Sequence, residues 1–364
     1  MKRIAFLGRG VHTLPTYRAL LNRLSQDYLI IVYSEVSLQP SWLTLDHQYE
    51  FRSSKLMNLP RRIRELLFPI WLIKEYLKKP FDVVHAHSTF PTGLAAVILQ
   101  LLFQVPAIVS LDGGEGSSLP DLQFGDAHHR IRKAINKWVI NQAHIVTSLT
   151  YFQRDEIYKN LAVKREIRVI PRGVDNRKFH YSQSKIKSSV RFLSVGYLSP
   201  IKDPETLLKT FSIIQQQIDC QLIHIGKDYM NGWIQQRAND MGISHKVRFV
   251  EPIDYDNISE YYKNADILLH TARFESQGMV IVEAMSSGTL VCGTHVGLMS
   301  DLSGECCITV PPKEPEALAA AVLDLLDSAE KMERLRMNAY NWSKNHSLDY
   351  SVKAMCCMYA ELTK

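Results

Sequence analysis

The chain has 364 residues, 46% of them hydrophobic and 22% charged, which places it with soluble globular proteins and excludes disordered, collagen-like and disulfide-scaffold classes. The length suits two domains. The net charge of +6 is unevenly spread: residues 1–180 hold 25 Lys+Arg against 15 Asp+Glu, and residues 181–364 hold 18 against 22. The basic half points to an anionic partner, whether nucleic acid, an acidic membrane surface or a phosphorylated substrate.

Met1-Lys2-Arg3 runs directly into the apolar stretch Ile4 to Leu7 and Gly8, with no small-residue cleavage site. This reads as a first strand and not a signal peptide, so a cytoplasmic protein is expected. Short β-branched or apolar runs follow at Leu29 to Tyr33, Asp82 to His85, Ala107 to Leu111, Ile145 to Ser148 and Ile167 to Ile170, with helical patterns between them. That alternation is the pattern of a parallel sheet covered by helices. The longest apolar stretch, Gly93 to Val109, is interrupted by Gln100, Gln104 and Pro106. It reads as a buried helix followed by a strand, and no segment is expected to cross a bilayer.

After Pro171-Arg172-Gly173-Val174-Asp175 comes the polar stretch Ser182 to Ser189, the best linker candidate. The rhythm restarts with Arg191 to Val195, Leu222 to Ile225, Val247 to Val250, Ile267 to His270, Thr289 to Cys292 and Ile308 to Val310. Asp203-Pro204 and Glu314-Pro315 mark helix starts. Two doubly wound α/β domains result, over residues 1–175 and 190–346, joined by a linker at 176–189. In open sheets of this kind ligands bind beyond the carboxyl ends of the strands, so the expected site is a central cleft that the two domains face. All six cysteines lie in the second half with no C-x-x-C pair, which suits reduced, packing thiols.

The most informative segment is Arg273 to Met285, just after the strand Ile267 to His270. A helix beginning near Gly278 would offer free N–H groups and a positive dipole end to a diphosphate, and a side chain at 278 would obstruct that approach. Ser276, Gln277 and Met279 flank this start. Glu275 stands at the helix mouth and Glu283 lies just over one turn inside. Each carboxylate offers two acceptor oxygens to neighbouring hydroxyls. A nucleotide sugar fits, with Glu275 on the sugar and Glu283 on the ribose; the plain alternative is one helix-terminal and one solvated glutamate.

This segment resembles the E-x7-E signature of glycosyltransferase family 4, a retaining group with the GT-B fold. Asp82-Val83-Val84-His85-Ala86-His87, Ile170 to Asp175, Val195-Gly196 with Lys202, Ile225-Gly226 and Ala265-Asp266-Ile267 stand in the family's order and spacing. The resemblance implies two Rossmann-like domains, with a C-terminal helix over 347–364 returning to the first. It further implies Lys202 on the donor's diphosphate, Gly196 and Gly226 against the nucleotide, and front-face transfer in which the departing phosphate deprotonates the acceptor. No metal or other cofactor is expected.

Two positions depart from the family. Tyr197 replaces a common arginine, and a phenol lacks the guanidinium's charge and bidentate fork. It either stacks or hydrogen-bonds instead, and Arg172 is a candidate substitute cation. Asp112 stands where the family usually has a histidine beside the donor sugar. It could bind a sugar hydroxyl or stabilise an oxocarbenium ion, or Asp112-Gly113 could simply make a turn. Of His85 and His87, which alternate along one strand, His87 is taken as the cleft residue and His85 as a core histidine.

Gly8-Arg9-Gly10 would let backbone approach a phosphate. With Glu35 it half-matches a dinucleotide fingerprint, but Thr13 fills the third glycine position, so an NAD-dependent oxidoreductase is a minor alternative. Asp254-Tyr255-Asp256 is expected to cap the short helix Ile258 to Tyr262 and not to bind metal. Arg52 to Lys79 mixes eight Lys+Arg with apolar residues and could lie on an anionic leaflet, with Pro69 interrupting any single helix there. No nucleic-acid partner is expected, because no recognised binding module accompanies the charge.

The sequence thus points to a hexosyltransferase-type enzyme. It would move sugar from a UDP- or GDP-sugar to a glycan or lipid-linked acceptor in cell-surface polysaccharide or lipopolysaccharide biosynthesis. It would be peripheral at the inner face of the cell membrane if the basic segment binds lipid. A non-catalytic nucleotide-sugar-binding or scaffold protein of the same fold is the alternative.

Overall fold

The computed structural model describes residues 1–8, 14–34, 49–54, 59–182 and 189–363. Arg9, Gly10, Thr13, Glu35 and residues 183–188 of the expected linker lie outside the described residues. The chain divides into one unit of Met1–Pro171 with Leu348–Lys364 and a second of Arg172–Ser347.

In the first unit the elements run β1 (Arg3–Leu7), α1 (Pro15–Leu24), β2 (Leu29–Ser34), β3 (Glu50–Ser53), α2 (Arg61–Lys78), β4 (Val83–His87), α3 (Leu94–Phe103), β5 (Ala107–Leu111), α4 (Arg130–Gln142), β6 (Ile145–Ser148), α5 (Tyr151–Leu161) and β7 (Arg168–Val169). The strands form one parallel sheet in the order β3-β2-β1-β4-β5-β6-β7. Successive side chains point to opposite faces, so both faces bury apolar residues. Ala5, Leu7, Val84, Ala86 and Val109 pack with Phe68 and Leu72 of α2 and Leu99 of α3. Ile4, Phe6, Val32 and Ile108 pack with Tyr17, Leu20 and Leu21 of α1.

The second unit continues with β8 (Val190–Val195), α6 (Pro204–Ile214), β9 (Cys220–Ile225), α7 (Trp233–Asp240), β10 (Val247–Val250), α8 (Ile258–Asn264), β11 (Ile267–His270), α9 (Met279–Ser287), β12 (Leu290–Thr294), α10 (Leu298–Asp301), β13 (Ile308–Val310), α11 (Pro315–Leu326) and α12 (Ala329–Asn345). Its sheet has the order β10-β9-β8-β11-β12-β13, also parallel. The last helix, α13 (Leu348–Leu362), belongs to the first unit, where Met355, Met358 and Tyr359 cover the α1 face of the sheet. Burying each such large side chain contributes roughly 1.5–3 kcal/mol. In each sheet the strand order reverses once, at β1/β4 and at β8/β11, which leaves a crevice at the carboxyl ends there.

The division falls at Pro171/Arg172, a few residues before the expected 175. Arg172 is tied to the second unit because Gln277 accepts from its N–H at 2.9 Å and donates to its carbonyl at 2.7 Å. The polar strand β3 escaped sequence reading because Glu50-Phe51-Arg52-Ser53 lacks an apolar face; its Arg52 instead pairs with Glu75 at 2.7 Å. α2 runs through Pro69 without a break. The hydrogen bond proline removes is outweighed by burial of Phe68, Pro69 and Leu72 on one stripe. Asp203 does cap α6, accepting from Thr206 N–H at 3.2 Å. The aspartates before α8 do not cap it with their side chains: the cap residue is Asn257, and Asp256 pairs with Lys178. All six thiols are free, four of them buried. No described helix is long and apolar enough to cross a membrane.

Buried Asp266 holds the start of β8, accepting from Arg191 N–H at 2.8 Å and from its guanidinium at 3.0 and 3.1 Å. Asp266→Ala is expected to destabilise the second unit by about 3 kcal/mol, because it strands a half-buried guanidinium. Urea unfolding followed through Trp233 and Trp342, both in that unit, measures the loss.

Candidate functional site

In the second unit β11 delivers His270 to its carboxyl end, and the turn that follows brings Glu275 back over it. Glu275 is ion-paired with Lys202, and His270 Nε2 lies 3.2 Å from the same oxygen. Lys202 reaches this point from the short turn Pro200–Lys202 between β8 and α6. Burial alone would push the Glu275 carboxyl up, but the Lys202 ammonium and His270 outweigh it and hold it at about 2. The turn ends at Gly278, whose φ of +87° favours glycine and whose position precedes α9 with no side-chain cap. The first N–H groups of α9 therefore start beside a lysine and an ionised glutamate, an arrangement able to receive phosphate and hydroxyl groups together.

Gly196 and Gly226 end β8 and β9, and a methyl group on Gly226 would lie 1.8 Å from the Gly196 carbonyl oxygen. A small pocket here is lined by Ser194, Gly196, Tyr197, Lys202, His224 and His270, among others. Tyr197 is 56% exposed and packs edge-on against Tyr229 with ring centres 5.6 Å apart. Burial pushes His224 down to about 4, against smaller upward pulls from the Gly196 backbone and Asp228, which leaves a neutral imidazole at the pocket.

Glu283 is buried in α9, where Tyr262 donates to its Oε2 at 2.6 Å. Burial raises its pKa to about 7, against hydrogen bonds from Tyr262 and Tyr255 and the charge of Lys178. It is neither a solvated nor a helix-terminal glutamate. Gln277 spends its amide on the Arg172 backbone, Ser276 is buried, and Met279 occupies the first position of α9. The Arg172 residue itself is almost wholly buried, 9% exposed.

In the first unit Gly8 closes β1, its N–H bonded to the Tyr33 carbonyl at 3.3 Å. His87, at the end of β4, and Asp112, just after β5, meet with Nδ1 2.7 Å from Oδ2. Tyr17 of α1 donates to the same Asp112 oxygen and lies 2.8 Å from His87 Nδ1. His85 is a core histidine, with Nδ1 2.8 Å from Tyr359 Oη and Nε2 2.8 Å from Ser110 Oγ. The Asp112-Gly113 turn is also present: Gly113 N–H donates to Glu115 at 2.9 Å, and Gln153 donates to the Gly113 carbonyl at 3.0 Å. Glu115 is raised to about 7, first by burial and then by Asp112.

Lys202, Glu275, Gly278 and Gly196 thus gather at one sheet edge, and Asp112 and His87 at another. Sequence reading missed His270, whose signal was its place at a strand end just before the motif. It also missed His224 and Tyr17; nothing in the sequence brings Tyr17 to Asp112. Among the described residues no three His, Cys, Asp or Glu side chains are grouped to hold a metal ion, Asp254 and Asp256 included.

The family model described as Glycosyl transferases group 1 matches residues 175–342, and that described as Glycosyltransferase Family 4 matches residues 17–178. Together they span nearly the whole chain. The chain belongs to glycosyltransferase family 4.

This glycosyltransferase is similar to the D-inositol 3-phosphate glycosyltransferase of Jonesia denitrificans, 23% identical over 303 residues that cover 77% of this chain and 71% of the relative. Its fold is that of the sucrose-phosphate synthase of Thermosynechococcus elongatus, with TM-score 0.84, 18% identity, and 100% and 99% of the two chains covered. Anabaena HepE in complex with UDP and glucose superposes with TM-score 0.78 at 16% identity, covering 99% and 100%. The two parallel-sheet α/β units and these neighbours establish the GT-B fold.

The raised pKa of Glu283 has a consequence for the transferase's stability. Its folded value of about 7 lies above the ordinary 4.5, so the stabilisation is complete below about 4.5 and is lost as pH rises through about 7. Glu283→Gln, which keeps an acceptor for Tyr262, is expected to flatten the dependence of the urea midpoint on pH across that window.

Proposed function

We propose that this glycosyltransferase is a retaining enzyme that moves a hexose from a UDP- or GDP-sugar to a glycan or lipid-linked acceptor in cell-surface polysaccharide or lipopolysaccharide synthesis. The observation that carries the reading is the Lys202, Glu275 and His270 set at the start of α9. An ammonium and a helix N-terminus suit a diphosphate, while an ionised carboxylate beside them suits the hydroxyls of the attached sugar. The complex of Anabaena HepE with UDP and glucose supports a donor of this class.

In this reading Lys202 leaves Glu275 for the diphosphate, and Glu275 takes sugar hydroxyls. The bond from the anomeric carbon to phosphate oxygen breaks as the acceptor oxygen attacks from the same face. The acceptor's proton passes to the departing phosphate, so no protein nucleophile and no metal takes part. Lys202 stabilises the charge that develops on the leaving group.

Release of UDP or GDP from a panel of nucleotide sugars, with the glycosylated product and its anomeric configuration identified, tests this reading. Glu275→Ala and Lys202→Ala are each expected to lower turnover by about 100-fold, in line with the loss of other charge-stabilising groups. Near-parental activity in either variant would remove the site. Nucleotide binding without any sugar transfer would instead favour a non-catalytic binder.

We further propose that the first unit meets an anionic membrane surface, which would place the enzyme peripherally on it. α2 exposes Ile63, Leu66 and Ile70 beside Arg62 and Arg64, and a groove lined by Leu66, Arg62, Arg130, Ile131 and Arg132 continues onto α4. Apolar residues among arginines suit anionic headgroups over an acyl layer, although Arg132 is paired with Glu65 at 3.4 Å. Arg61 contributes less, because Glu65 pairs with it at 2.7 Å. Cosedimentation with anionic liposomes is expected to weaken with salt and on charge reversal at Arg62 and Arg64; absent or salt-independent binding would return this face to the solvent.

A further inference from the structure

The transfer described above gives no role to Tyr17, and the geometry of the first unit supplies one. Tyr17 sits in the core stripe of α1, 2% exposed, with its ring edge-on to Phe6 and His87 at centroid distances of 6.2 and 4.9 Å. Packing on both sides fixes where its hydroxyl can go. It emerges at the carboxyl ends of β4 and β5 and donates to Asp112 Oδ2. His87 Nδ1 lies 2.7 Å from that same oxygen, so in the tautomer protonated at Nδ1 one carboxylate oxygen receives two buried donors. Hydrogen bonds to a carboxylate favour its ionised form and fix its plane.

We propose that Tyr17 is a positioning residue of the transferase, which together with His87 holds Asp112 as an ionised, oriented carboxylate for a sugar hydroxyl. The inference rests on the reading that Asp112 contacts the sugar. It gives the departure from the family's histidine a physical form, because the carboxylate is clamped by partners from two other elements and does not depend on its own turn alone. Among the described residues Tyr17 from α1, His87 from β4 and Glu115 from its own loop face Asp112.

Tyr17→Phe keeps the ring and removes the donor. Turnover with a nucleotide-sugar donor is expected to fall about 10-fold or more, the size of a lost hydrogen bond to a charged group. Loss of a donor to the ionised form raises the Asp112 pKa, so the acid limb of kcat/KM moves to higher pH. Carbon-13 NMR of aspartate carboxyls, recorded on the free protein and assigned with Asp112→Asn, reads the same shift without any substrate. His87→Leu, which removes the second donor, is expected to move that titration in the same direction. An Asp112 titration unmoved in both variants overturns the inference and leaves the donor site, tested separately through Lys202 and Glu275, untouched. A shifted titration combined with full activity of Asp112→Asn overturns the positioning role, since the carboxylate would then be held but not used.

Discussion

Two parallel sheets, each buried on both faces, constrain everything else in this protein. Interior strands of such a sheet can offer polar side chains to a ligand only at their ends, because helices cover both faces. At the carboxyl ends of β1, β4 and β5 in one unit and of β8, β9 and β11 in the other, the chain leaves the sheet where the strand order reverses. Gly8, His87 and Asp112 occupy the first of these edges; Gly196, Gly226, His270 and Glu275 occupy the second. The candidate site residues come from distant parts of the sequence because the topology puts strand ends side by side.

Within the second unit two glutamates eight residues apart end in opposite states because their neighbours offset burial to different extents. Both are removed from water, which by itself favours the neutral acid. Lys202 and His270 keep Glu275 ionised, whereas burial raises Glu283 to about 7 against the weaker pull of hydrogen bonds from Tyr262 and Tyr255. In the proposed transfer it is Lys202 that exchanges the Glu275 carboxylate for a phosphate. A carboxyl held by Tyr262 inside the helix is built into the unit's core and carries a pH dependence with it.

How much could be read beforehand differs by kind of feature. The alternation of apolar runs with helical patterns reported both sheets, and twelve expected strands were placed within a few residues because β-branched runs bounded by turn residues are local signals. The strand β3 was invisible because its stability comes from pairing with β2 and from the ion pair of Arg52, not from its own composition. Pro69 was read as a break on local grounds, and tertiary burial of its helix stripe overrode it. Gly278 and Glu275 were legible because helix-start chemistry is written in adjacent residues. Gln277 was not: its amide is engaged with Arg172, a partner 105 residues away.

The sequence by itself determined the family, the two-sheet architecture and the identity of Lys202, Glu275 and Gly278, since these follow from short-range patterns in a fixed order. Only the tertiary structure decided which charges meet. It paired Lys202 with Glu275 across 73 residues, tied Tyr17 to Asp112 across 95, and sent α13 back to the first unit. The uneven charge seen at the start is resolved in the same way. Many cations of the basic half are neutralised locally, as Arg52 and Lys78 are by Glu75 and Arg61 is by Glu65. Net charge is a sum over residues, but the field a ligand meets depends on distances, and those are set when the chain packs.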